Sequence, residues 1–236
     1  MKINIATLNV KGMAGPNKFT KTANLLKTYK DIDIFTLQET NINIENVQKT
    51  TKKWPKDSFW TPHVAILINN RRIKITNIFT TSSRSMIMDF TLHSVNYRLE
   101  TVYVPPDKTR RSTFLESWTP SLSHTNYILT GDFNLNLVSA NRLNTSLERL
   151  DSTKDLLLSK LNNLIDTQLL ASIPSIQTFY QTVTEGRHVA NKLDYIFLSP
   201  DLSDHNTRLT VRLGNSDHLM LSAALSSKAE FADPSQ

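Results

Sequence analysis

Short apolar or alternating segments follow one another from Ile3 to Leu225, and this pattern more than any other limits what the chain can fold into. Ile3, Ile5 and Thr7 alternate with small or polar residues at a period of two, the signature of a strand with one buried face. The same reading predicts strands over Ile32–Leu37, Val64–Ile68, Ile73–Phe79, Met86–Leu92, Tyr97–Val104 and Tyr127–Thr130. Further strands are predicted over Leu193–Leu198, Thr207–Leu213 and Leu219–Leu225. Helical spacing is rarer. Phe19, Ala23 and Leu26 share one face of a helix that Asn17 is placed to cap. Thr113–Trp118 and Ser146–Ile165 also read as helices, the second with Leu147, Leu150, Leu157, Leu161 and Leu164 at roughly helical intervals. Many strands and few helices argue for an α/β protein built on packed sheets. There is no internal repeat or composition break, so one domain over residues 1–225 is expected, followed by a polar tail over 226–236.

Composition removes several classes of function. The 236 residues contain no cysteine, so a disulfide framework and a thiolate metal site are both excluded. Met1 to Ala6 reads as a strand rather than a signal peptide, and no apolar run approaches the ~20 residues of a membrane helix. A soluble domain without a membrane partner is expected. Lys and Arg number 27 against 21 acids, a net charge of +6. That excess suits a polyanion, and equally suits a surface that is merely basic. The basic clusters Lys49–Lys53, Arg71–Lys74 and Lys108–Arg111 are short enough to be solvated loops.

Strand ends carry the chemistry. Asn9 closes the first strand and Glu39 follows the next. Asp132 and Asn134 follow Tyr127–Thr130, Asp194 opens Leu193–Leu198, and Asp217-His218 precede the last strand. Alone, each has an ordinary reading. Asn9 suits a turn, Glu39 a surface, Gly-Asp-Phe-Asn a plain turn, and His218 a satisfied polar side chain. Together they place carboxylates, carboxamides and an imidazole at the ends of strands. Hard oxygen donors of this kind suit Mg²⁺ or Mn²⁺. A histidine near a carboxylate suits an oriented imidazole. Phosphodiester cleavage needs these parts: a cation to offset charge, an activated water, and donors for the developing oxyanion.

Leu-Asn-Val-Lys-Gly, Leu-Gln-Glu-Thr, Val-Tyr-Val-Pro, Gly-Asp-Phe-Asn, Leu-Asp-Tyr-Ile and Ser-Asp-His, in this order from residue 8 to residue 218, resemble the exonuclease–endonuclease–phosphatase superfamily. The resemblance implies a four-layer α/β/β/α sandwich, DNase I-like, of two packed mixed β-sheets flanked by helices, with the active site at one rim. It implies that Glu39 binds Mg²⁺ (or Mn²⁺) beside Asn9, with Asp217 in support. Asp132 would activate water, Asn134 would hold Asp132 or the phosphate, and Tyr103 would donate to a phosphate oxygen. Asp194 would orient His218 toward the scissile phosphate.

Departures sort the branches. Repair nucleases resembling exonuclease III carry an acid where this chain has Lys11, an Asn at Pro106, and Trp-Arg at Asn191-Lys192. The start Asn-Val-Lys-Gly resembles the endonuclease domains of LINE-type (non-LTR) retrotransposons. Val64-Ala65-Ile66-Leu67 also resembles a strand of that family, with His63 in place of its glycine. Thr178-Phe179-Tyr180 resembles that family's DNA-facing hairpin, which makes Gln181 to Lys192 a target-reading loop with Arg187, His188 and Asn191 as contacts, alongside Lys11. The resemblance thus implies an Mg²⁺-dependent nickase of double-stranded DNA that leaves a 3′-hydroxyl. It would be a monomer as an isolated domain, normally fused to a reverse transcriptase and acting in the nucleus. An abasic-site repair nuclease and a decayed copy that binds DNA without cutting are the rival readings.

Overall fold

A computed structural model describes residues 2–47, 49, 52, 54, 56–137, 152–173, 176–182, 188–203 and 206–226, with the side chains of Pro16, Ile44, His188 and Asn206 left undescribed. Two six-stranded sheets form the body. The first runs in the order β13-β14-β1-β2-β4-β3, from Asn206–Arg212, Met220–Ser226, Lys2–Asn9, Ile34–Gln38, Val64–Ile68 and Ser58–Trp60. The second runs β5-β6-β7-β8-β12-β9, from Lys74–Ser82, Ser85–Leu92, Val95–Tyr103, Tyr127–Asp132, Asp194–Leu198 and Ile165–Asp166. Each sheet is mixed, with one parallel pair: β1 with β2, and β7 with β8. A separate hairpin joins β10 (Phe179–Thr182) to β11 (His188–Asn191).

Three apolar interfaces make four layers. Between the sheets, Ile3, Ile5 and Ile66 of the first meet Met88, Leu99 and Ile196 of the second. Outside the first sheet, helix α1 (Pro16–Thr28) lays Phe19, Ala23 and Leu26 on Leu8, Phe35 and Leu67. Outside the second, α2 (Lys108–Ser117) and α3 (Ser152–Leu161) contribute Leu115, Leu157 and Leu161 against Leu129, Tyr195 and Phe197. Strands buried on both faces read as continuous apolar runs, which is why Val64–Ile68 lacks alternation. The expected α/β/β/α sandwich is therefore the observed one.

Helix boundaries differ from expectation. Gly15 is the N-cap of α1 and makes no side-chain cap, with Pro16 at the first turn, so Asn17 lies inside the helix. Helix α2 starts at Lys108, because Asp107 caps it through the Arg110 backbone N–H at 2.9 Å. Arg111 is thus not in a solvated loop. It is buried, and its guanidinium donates to Thr153 Oγ1 and to the Asn134 carbonyl. The long helix expected over Ser146–Ile165 is described only from Ser152 to Leu161, Ile165 belongs to β9, and residues 146–151 lie outside the described residues. Of the tail expected from 226, Ser226 still belongs to β14 and residues 227–236 lie outside the described residues. Among the described residues no helix is long and apolar enough to cross a membrane.

Candidate active site

Register brings the second-sheet residues together. Tyr103 ends β7 opposite Asp132 at the end of β8, and Asp132 pairs in turn with Asp194 at the start of β12. The parallel pairing of β7 with β8 puts two carboxy-terminal ends side by side, and the antiparallel β12 brings an amino-terminal end to the same rim. Gly131 permits the approach. A Cβ there would stand 2.1 Å from the Val102 carbonyl oxygen, inside any van der Waals contact. From the first sheet, Asn9 ends β1, Glu39 follows β2, and His218 lies just before β14.

Asn9 ties the two sheets at this rim. Its amide Nδ2 donates to Asp132 Oδ2 at 2.8 Å and to Glu39 Oε2 at 3.0 Å. Its Oδ1 accepts the Lys11 backbone N–H at 2.9 Å. The other oxygen of Asp132, Oδ1, accepts the Asn134 N–H at 2.9 Å, while Asn134 Nδ2 donates to the Val104 carbonyl at 2.8 Å. Asn134 and Glu39 both hold left-handed backbone, at φ 49° and 53°. Asparagine tolerates that region, whereas a glutamate there is strained by about 1–3 kcal/mol. Glu39 is fixed in it by its own carbonyl, which accepts the Gly12 N–H at 2.7 Å.

His218 Nδ1 lies 2.9 Å from Asp194 Oδ2, with both side chains buried. Burial alone would lower the imidazole pKa. The Asp194 charge and hydrogen bond, aided by Asp132 and Asp217, outweigh burial and push it up to about 9. Asp132 is pushed up to about 7, chiefly by burial and then by the Asp194 charge, against the lowering influence of His218 and Asn9. The Tyr103 phenol is raised far above its usual range by burial and by Glu39 and Asp132, so it remains a proton donor at neutral pH.

A divalent cation fits this donor set. Ligand atoms of Asp132, Asp194 and His218 all lie within 4.8 Å of one another. Asp194 Oδ1 is buried and without a partner among the described residues, a costly state for a carboxylate oxygen that nothing else satisfies. Of the ligands that the resemblance assigned, Glu39 and Asn9 adjoin this group through the shared amide. Asp217 stands to one side, paired with the Lys11 ammonium at 2.5 Å.

The remaining sequence candidates divide. Asn191 lies in β11, opposite Phe179. His188 is placed only by its backbone, in β11, and Arg187 lies outside the described residues. Lys192, between β11 and β12, is not exposed. It is buried, ion-paired with Asp166, and its ammonium lies 4.3 Å from the Tyr195 ring centroid. Of the segment expected as one loop, Gln181 and Thr182 belong to β10, residues 188–191 are β11, and residues 183–187 lie outside the described residues. The base of the β10–β11 hairpin is fastened to the site by a Phe179–His218 bridge and by Tyr180 N–H donating to the Asp217 carbonyl at 2.9 Å.

Three supporting residues escaped the sequence reading. Ser216 Oγ donates to the Asn9 carbonyl at 2.7 Å and accepts the His218 N–H at 3.1 Å, joining two strand ends. Its place beside Asp217-His218 was the available signal. Thr178 Oγ1 accepts the N–H of both Leu193 and Asp194 at 3.1 Å. Arg84, in the β5–β6 turn, lies over the Tyr103 ring with its Cζ 4.9 Å from the centroid. Nothing local in the sequence marks it, because only the register of β6 on β7 brings it there.

Comparison with known proteins agrees with this architecture. The model of the Endonuclease/Exonuclease/phosphatase family matches residues 6–218. A search of curated protein sequences finds no match. Among solved structures, the AP endonuclease LMAP from Leishmania major superposes with a TM-score of 0.73 at 15% identity, over 95% of this chain and 88% of that one. Truncated TDP2 from Caenorhabditis elegans gives 0.65 at 13% identity, over 96% and 98% of the two chains. The endonuclease domain of TRAS1, a telomere-specific non-LTR retrotransposon, gives 0.62 at 14% identity, over 96% and 99%. At such identities the likeness concerns the fold.

Proposed function

The chain belongs to the Endonuclease/Exonuclease/phosphatase family, and on that premise we propose that it is a divalent-metal-dependent DNA endonuclease of LINE type. It nicks one strand of a duplex and leaves a 3′-hydroxyl from which a reverse transcriptase, normally part of the same polyprotein, begins synthesis. The observation that carries the reading is the meeting of Asp132, Asp194 and His218 at one rim, tied through Asn9 to Glu39.

The roles follow from the environment of each group. Asp132, oriented by Asn9 and Asn134 and titrating at about 7, accepts the proton of the attacking water near neutral pH. His218, kept protonated by Asp194, donates to a phosphoryl oxygen as charge develops there. The Tyr103 hydroxyl is a second donor to the phosphate. Glu39, Asn9 and the unpartnered Asp194 oxygen are the groups that would hold Mg²⁺ or Mn²⁺, which when bound offsets phosphate charge.

Several features favour the LINE branch over abasic repair. Asn191 stands where the repair nucleases carry Trp and offers no aromatic wall for an abasic pocket. The hairpin beside His218 presents exposed apolar side chains, Tyr180 and Val189, at 47% and 38% exposure, where a DNA groove would pass. Lys11, Arg187, His188 and Asn191 are the proposed DNA contacts. Supercoiled plasmid with Mg²⁺ tests the whole reading. Wild type should yield nicked circles whose ends a polymerase extends, and Asp132→Ala and His218→Ala should not. Variants that nick as fast as wild type would show the site assignment to be wrong. Strong preference for a duplex with one abasic analogue would move the chain to repair, and salt-dependent binding without nicking would make it a decayed DNA-binding copy.

A further inference from the structure

Arg111 is buried where three segments meet, and a buried guanidinium is costly to desolvate unless its donors are used. The cap of α2 aims it there. Asp107 starts the helix, and the Arg111 N–H donates to the Asp107 carbonyl at 2.8 Å, which turns the side chain inward in the first turn. Its Nε donates to Thr153 Oγ1 at 3.0 Å, in α3. Its Nη1 donates to two backbone carbonyls, Asn134 at 3.0 Å and Pro106 at 3.4 Å. Pro106 stands three residues after Tyr103, and Asn134 two residues after Asp132. One planar fork therefore ties the chain leaving β7 to the chain leaving β8, and both to α3.

The turn so held is the one that orients Asp132. Asn134 is left-handed, at φ 49°, and its N–H donates to Asp132 Oδ1 at 2.9 Å. Its Nδ2 donates to the Val104 carbonyl at 2.8 Å and lies 3.4 Å from Asp132 Oδ2. Asn134 is thus fixed by its N–H, by its side chain and by its carbonyl, and Arg111 holds the last of these. We propose that Arg111 is a positioning residue for strand cleavage, which through the Asn134 and Pro106 carbonyls keeps the turn aimed so that Asp132 meets the attacking water in register with Tyr103. The inference rests on the metal-dependent nuclease reading and deepens it. Arg111 is buried and does not itself bind the duplex, so its loss acts on the transition state through Asp132 and leaves ground-state binding alone.

Steady-state nicking of supercoiled plasmid with Mg²⁺, normalised to the folded fraction, separates positioning from mere support. Arg111→Lys keeps the charge and with it the fold, but one ammonium does not span Thr153 and both carbonyls. Its kcat should fall about 10- to 100-fold with KM for the plasmid within about twofold of wild type, the scale expected when a catalytic group is slightly misplaced. Leu157→Ala loosens the same helix interface away from the turn and should stay within about threefold of wild type per folded molecule. Hydrogen exchange of the chain without DNA reads the clamp itself. In Arg111→Lys the Asn134 amide should lose about tenfold or more of its protection, while amides in the middle of β8 keep theirs. Arg111→Lys at wild-type kcat, a change in KM alone, an Asn134 amide that stays protected, or a Leu157→Ala chain that slows equally overturns the inference. Each of these, with wild type still nicking, leaves the nuclease reading standing and removes only this step. Wild type that does not nick removes both.

Discussion

Glu100 and Asp132 are both fully buried acids of the second sheet, and burial raises the pKa of each, yet their surroundings differ. Glu100 lies on the helix side of β7. Its Oε1 accepts from Ser85 Oγ at 3.0 Å and Trp118 Nε1 at 2.7 Å, and its Oε2 accepts from Tyr127 Oη at 2.7 Å. Every one of these donors is neutral, and both oxygens are satisfied. Asp132 lies at the rim among other ionisable groups, next to an acid, Asp194, that keeps a buried oxygen bare. A buried carboxyl that the fold needs is closed off by donors. A buried carboxyl that performs chemistry is coupled to charges and leaves a site for something not part of the chain.

This contrast can be broken by experiment, and the largest expected effect is on activity. His218→Ala should lower nicking by about 10²–10⁴-fold, the range for loss of a positioned proton donor, with far-UV circular dichroism unchanged. Gly131 links the two acids, since β8 runs against β7 there. Gly131→Ala should cost roughly 3 kcal/mol or more by denaturant unfolding, because the backbone must separate to admit a Cβ. Glu100→Ala should cost about 3 kcal/mol, as it leaves a cavity and three unanswered donors. Activity per folded molecule should stay within about threefold of wild type, where loss of a catalytic acid–base group costs 10²–10⁴.

An effect of comparable size is a pH dependence. The folded pKa of His218, at about 9, is above its unfolded value, so its contribution to stability is complete below pH 6.5 and is lost as pH rises through 9. In metal-free buffer that loss should amount to about 3 kcal/mol, and His218→Gln should lack it. Glu100→Gln should retain it. A His218→Gln chain that loses stability over the same window as wild type would mean that Asp194 does not hold the imidazole charged.

Much of this contrast could be read from the chain before folding, though unequally for the two acids. Asp132 was legible because Gly-Asp-Phe-Asn, a plain turn when taken alone, follows Tyr127–Thr130 in series with the other polar strand ends. Asp194 was legible because an acid between Leu193 and Tyr195 in a buried strand needs a partner. Glu100, an acid inside the strand expected over 97–104, also called for a partner, but nothing local named one, since Ser85, Trp118 and Tyr127 lie far apart in the sequence. Tertiary contacts also overrode local reading at Arg111, whose neighbours Lys108, Thr109 and Arg110 look like a solvated loop, and at Lys192, the last residue of the expected target-reading loop, which Asp166 holds in the core. The strand Ser58–Trp60 was missed because its three residues are too few to show a period.

The central claim is that the rim acids perform phosphodiester cleavage and that the enclosed acid does not. The most direct measurement is Mg²⁺-dependent nicking of supercoiled plasmid by Asp132→Asn and Glu100→Gln, each normalised to its folded fraction. Loss of about 10³-fold or more in Asp132→Asn, with Glu100→Gln near wild type and all nicking abolished by a chelator, is the predicted result. Equal nicking by the two variants, or nicking that survives the chelator, would contradict it.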